Sequence, residues 1–147
     1  MGDGNKQSVR TTGILQNNFT TQITAHLELL NLNSNQNNNN NNNNNNQTDV
    51  RIQVLNWGTD VTQTNPVSTI LDITQRIAPN TRMSFNAPIP AANHYEVRLT
   101  VGCNNNNKND ESVLLNTYAR STVGGGILNG LTVLDSQFQS VTIVSCF

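Results

Sequence analysis

Residues 93–102, NHYEVRLTVG, constrain this chain most. Tyr95, Val97, Leu99 and Val101 alternate there with His94, Glu96, Arg98 and Thr100. Alternation at a period of two marks a strand with one apolar face and one polar face. It predicts that the odd-numbered side chains enter a core and the even-numbered face is wetted. No other segment alternates so cleanly, and the rest of the chain reads as strands assembled around it.

The 147 residues fit one domain. Only 12 % are charged, where about 25 % is typical. Asn, Thr, Gln and Ser take their place. Eight basic and nine acidic residues leave a net charge of −1. That argues against a nucleic-acid partner, which needs a basic surface. It argues equally against an anionic membrane surface. No run of about 18 apolar residues occurs, so no membrane-spanning helix is expected. The opening MGDGNKQSV has no hydrophobic signal core, so export, where it happens, is expected by another route, by lysis, or with a signal absent from this sequence. So little charge protects poorly against self-association.

Residues 1–10 are polar, carry two glycines and show no periodicity. They read as a flexible arm: either a disordered terminus or a connector, with Gly2, Asp3, Gly4, Asn5, Lys6, Gln7, Ser8 and Val9 as the candidate assembly residues. Residues 11–22 read as a first strand and residues 23–32 (ITAHLELLNL) as a second, with Ala25, Leu27 and Leu29 on one face. Ten consecutive asparagines, Asn37 to Asn46, follow. Asn prefers turns and buries no apolar surface, so residues 33–48 are expected as a loop insert. It reads as an expanded hairpin loop whose flanking strands still pair, since closure entropy grows slowly with length.

Further strands are expected at residues 49–57, 67–77, 82–87, 93–102 and 111–121, and one long or two short ones at 131–147. Pro88 and Pro90 assign the strand at 82–87 to a sheet edge or its approach to a loop. Eight short strands without a helix predict an all-β, single-domain, eight-stranded jelly-roll-like β-sandwich with a flexible N-terminal arm. The arm is 1–10 and the sandwich 11–147. The order Trp57, Cys103, Cys146 does not fit the Cys–Trp–Cys order of an immunoglobulin domain.

Chemistry-bearing residues are sparse. His26 and His94 fall on predicted outward faces of different strands, and their spacing to the cysteines does not resemble a zinc site. There is no GxSxG elbow, and Gly124-Gly125-Gly126 lacks the following GK[ST] of a phosphate loop. Asp60, Asp72 and Asp110 are isolated. No enzyme, metal or cofactor is expected. Trp57, Tyr95 and Tyr118 are a candidate ligand platform, which would suit surface glycans. Core packing is the commoner fate of such residues. Cys103 and Cys146 are candidate disulfide residues; they can pair within the chain, pair between chains, or stay reduced.

At VRIQVLNW (50–57), RIAPN (76–80), HYEVRLTV (94–101) and GLTVLDSQF (130–138), the chain resembles small spore-surface β-proteins of Bacillus-type bacteria. In organisation it is similar to endospore appendage (Ena-type) pilus subunits. That resemblance implies a jelly-roll subunit that stacks by strand addition, with an arm reaching into neighbours and disulfides locking the fibre. Residues 1–9 would be the connector, and Cys103 and Cys146 the cross-link sites. The family's connector typically carries cysteines and this arm has none. Independently, Lys6 and Lys108 are the only lysines and lie outside the predicted strands, so the edges lack lysine guards. The expectation is a structural subunit, outside the cell or on a spore, whose partner is itself. The alternative is a carbohydrate-binding or adhesive module.

Overall fold

A computed structural model describes residues 7–32, 47–102, 112–128 and 130–143. It is a β-sandwich of nine strands: β1 (Gln7–Thr11), β2 (Leu15–Gln16), β3 (Ile23–Asn31), β4 (Thr48–Gly58), β5 (Ser68–Ile77), β6 (Thr81–Ile89), β7 (His94–Val101), β8 (Val113–Ser121) and β9 (Gln139–Ile143). A six-stranded sheet runs β5-β4-β7-β1-β9, with β2 also paired to β7; a three-stranded sheet runs β6-β3-β8. Every pairing is antiparallel.

The alternating stretch is β7, and it occupies the middle of the larger sheet. Tyr95, Val97, Leu99 and Val101 are buried, as their period requires. They meet Val50, Ile52 and Val54 of β4 and, across the sandwich, Ile23, Ala25, Leu27 and Leu29 of β3 with Val113, Leu115 and Ala119 of β8. These strands are rich in Val, Ile and Leu, which fit a pleated, half-buried surface. Each fully buried Leu or Ile contributes on the order of 1.5–3 kcal/mol. Burial also pushes the Tyr95 hydroxyl pKa up to about 12.

Part of the stretch expected as an arm is a strand. Gln7 to Arg10 belong to β1, which lies between β7 and β9, with Val9 opposite both Thr100 and Val141. Residues 1–6 lie outside the described residues. A five-residue strand with two polar neighbours on either side of Val9 shows no apolar period, which is why it reads as a tail. The expected strand at 11–22 contracts to Thr11 and the short β2. Between them Gly13 turns the chain at φ 68°. Thr12 keeps the ladder intact: its N–H donates to Val97 O (3.0 Å) and its hydroxyl accepts from Val97 N–H (3.0 Å). Splitting this region makes nine strands from the expected eight.

Chain crossings between sheets fall in matched pairs. β3 and β4 go to opposite sheets, and so do their partners β6 and β7. The β3–β4 connection carries the poly-Asn insert, so the insert is not a hairpin loop: its flanking strands do not pair. Its ends are held across the sandwich instead. The Asn31 side-chain amide donates to Ile77 O (3.0 Å), Ala78 O (3.3 Å) and Thr48 Oγ1 (3.4 Å). Leu32 N–H donates to Ser112 O (2.8 Å), and Gly102 N–H to Asp49 O (2.6 Å). A Cβ on Gly102 would come within 2.9 Å of the Asp49 Cβ, so a side chain there would disturb this junction. Both Asn-rich inserts, after Leu32 and after Gly102, therefore leave from one pole.

Four strands bound the two sheets, and they do so differently. β6, with Pro88, is an edge of the small sheet, as its prolines predict. The outer side of β8 is partly covered by the returning chain, through Leu128 N–H to Ala119 O (2.8 Å) and reciprocal bonds between Thr117 and Val133. β5 and β9 are the two edges of the large sheet.

Candidate functional site

The polar face of β7 is not wetted throughout. Glu96 and Thr100 are buried. The Glu96 carboxylate accepts from Trp57 Nε1 (3.0 Å), Thr11 Oγ1 (2.5 Å) and Arg98 Nε (2.8 Å). Burial by itself pushes this carboxyl pKa up. The bonds from Arg98, Thr11 and Trp57 together outweigh it and hold the pKa below its usual value. The donors come from β4, β1 and β7 itself, so only the sheet register brings them together.

The outer face of the small sheet carries a second polar cluster. His26 Nε2 meets Glu28 Oε1 (2.7 Å) and His26 Nδ1 meets Asn86 Oδ1 (2.7 Å). Glu28 Oε2 accepts from Arg82 Nη1 (2.9 Å) and Ser84 Oγ (2.8 Å). The His26 bond, with help from Ser84 and Arg82, overcomes desolvation and holds the Glu28 pKa at about 2. A Ser, a His and a carboxylate thus lie together, but the carboxylate sits between the hydroxyl and the imidazole. A serine nucleophile needs the imidazole in that position. Among the described residues, no three His, Cys, Asp or Glu side chains converge to hold a metal.

The candidate platform of Trp57, Tyr95 and Tyr118 is not assembled. Tyr95 is in the core. Trp57 is on the outer face of the large sheet, bonded to Glu96, and Tyr118 is on the outer face of the small one. The Tyr118 ring is already engaged: His26 lies 5.0 Å away at 47°, and Arg120 lies 5.2 Å from the centroid and donates to the hydroxyl (2.9 Å). The period of two that buries Val97 and Leu99 buries Tyr95 with them. Cys103 and Cys146 lie outside the described residues. The strands before them, β7 and β9, both end at the pole where β1 begins.

The edges differ in what guards them. Charged side chains and proline protect edges from pairing with other chains. β5 carries Asp72 and Arg76, engaged with Arg51 and Asp49 of β4. β6 carries Arg82 and Pro88. β9, QSVTI, has no charge, no proline and no glycine. Its Val141 is 50 % exposed. The strand is anchored from behind. Phe138 is buried in the core, and Asp135 accepts from Arg10 Nη1 (2.8 Å) and Leu115 N–H (2.9 Å). β9 is thus a firmly held, unguarded edge.

No protein-family model, curated protein or solved structure matches this chain. The fold itself defines the class: an all-β sandwich of two antiparallel sheets.

Proposed function

We propose that this protein is a structural subunit that assembles with copies of itself by strand addition, into a fibre outside the cell or on a spore surface. The unguarded edge β9 is the observation that supports assembly. Among the described residues no strand pairs with the outer side of β9, and a sheet edge without charge or proline is a template for another strand. The sparse surface charge acts in the same direction. The spore-surface setting rests on the sequence resemblance alone. Within this reading the arm contributes what precedes Gln7, because residues 7–9 are already used inside the subunit's own sheet.

Negative-stain electron microscopy of the purified chain, with and without reductant, tests the proposal. Regular filaments are expected. Their collapse in reductant would assign locking to Cys103 and Cys146, and their survival would assign it to strand pairing. Monodisperse monomers in both conditions would overturn the proposal.

A further inference from the structure

We infer that β9 pairs with β9 of a second copy, antiparallel and about a two-fold axis, with Val141 facing Val141 of that copy. The inference rests on the assembly reading and names its first contact. The argument lies in a short internal repeat. β1 reads QSVRT and β9 reads QSVTI. Inside the subunit these strands already pair, with Gln7 opposite Ile143, Ser8 opposite Thr142 and Val9 opposite Val141. An antiparallel β9 from a second copy, centred on Val141, brings Gln139 opposite Ile143, Ser140 opposite Thr142 and Val141 opposite Val141. These are the same three residue pairs. At these three positions a second β9 therefore presents to the outer side of β9, which no described strand pairs, what β1 presents to the inner side.

Two positions differ from the internal case: Gln139 faces Ile143 of the second copy in place of Thr11, and Ser140 faces a neutral residue in place of a charged one. Where β1 sets Arg10 opposite Ser140, the second copy sets Thr142 there, so no charge enters the new ladder. Cross-strand pairs of β-branched and hydroxyl residues are favourable. The other edges have no such match: β6 lacks an N–H at Pro88, and β5 brings Asp72 and Arg76. The contact is isologous, so it closes on two copies. Growth of such pairs into a fibre needs a second surface in addition to β9.

Cross-linking tests this register. In full-length protein with Cys103→Ser and Cys146→Ser, one variant carries Val141→Cys and another Gln139→Cys. Facing Cα atoms in an antiparallel pair lie about 4.5–5.5 Å apart, within disulfide range. Mild oxidation should convert the position-141 variant to a covalent dimer, and the position-139 variant at least tenfold less. In the otherwise native chain, Val141→Lys should weaken self-association at least tenfold in sedimentation, with an unchanged circular dichroism spectrum. That second arm does not depend on the serine background folding. Assembly that survives Val141→Lys, or that links 139 as readily as 141, would overturn this pairing while leaving assembly by another surface standing. A native chain that stays monomeric at every concentration would overturn both readings.

Discussion

Burial raises the Glu96 carboxyl pKa, and the three donors from three strands that converge on the carboxylate more than offset it. Removing the acceptor leaves the Trp57 indole N–H and the Thr11 hydroxyl without their partner in a covered site. Glu96→Ala should cost about 2–3 kcal/mol in urea unfolding, and Trp57 emission should shift to the red. Glu96→Gln, which keeps the shape and one acceptor, should fall between the two. An alanine variant as stable as the parent would mean that the cluster adds no stability. Glu28 makes a prediction of a different kind. Its carboxyl titrates near 4.5 when unfolded and about 2 when folded. Between those values the unfolded chain binds a proton that the folded chain does not, so acid favours unfolding. The contribution is complete above 4.5 and is lost as pH falls towards 2. Its size is up to about 3 kcal/mol, less where solvent screens the bonds. Thermal melts across this window should fall less steeply with acid for Glu28→Gln than for the parent.

At the scale of elements, β1 decides whether the large sheet is continuous. Among the described residues it is the only strand joining β9 to β7. Deleting residues 1–6 leaves every pairing of β1 in place and should shift stability by less than about 0.5 kcal/mol. Deleting residues 1–11 removes the strand, strands β9 and exposes the flank of β7; the product should fail to melt cooperatively. A cooperative melt of the longer deletion would show that β1 is dispensable. Strands β3 to β8 were legible because each is long enough for its alternation to outweigh noise, and Pro88 correctly marked an edge. β9 falls within the strand or strands expected at 131–147, but β1 was not legible. β1 has five residues and a single central valine, so its strand character comes from pairing with β7 and β9 and not from an apolar period. The Glu96 cluster was equally hidden: Thr11, Trp57 and Arg98 are far apart in sequence, and only the register joins them.

For the whole molecule, the sandwich class follows from composition and spacing, and the sheet order does not. Nothing in the sequence says that β3 and β4 belong to opposite sheets, since the asparagines between them are compatible with a hairpin or a crossover. The crossing is fixed by the core: β3 and β4 each have a full apolar face, and two such faces bury best against each other. The charge-poor surface, in contrast, was plain from the start. What could not be read was which strands end the sheets: β5, β6 and β8 carry a charge or a proline, and β9 carries neither.

The meeting of Asn31, Thr48, Gly102 and Ser112 at one pole has a consequence for how such a chain can vary. The two ends of the poly-Asn tract are tied at 3.4 Å, whatever length of chain runs between them. Each doubling of that tract costs only about 0.6 kcal/mol. Slippage in a repetitive coding run would therefore lengthen or shorten the protein without refolding it. The pole works as a port: a foreign peptide grafted between residues 32 and 47 would be carried at the end of the sandwich where β7 and β9 finish, beyond the ladder of β9 and not across it.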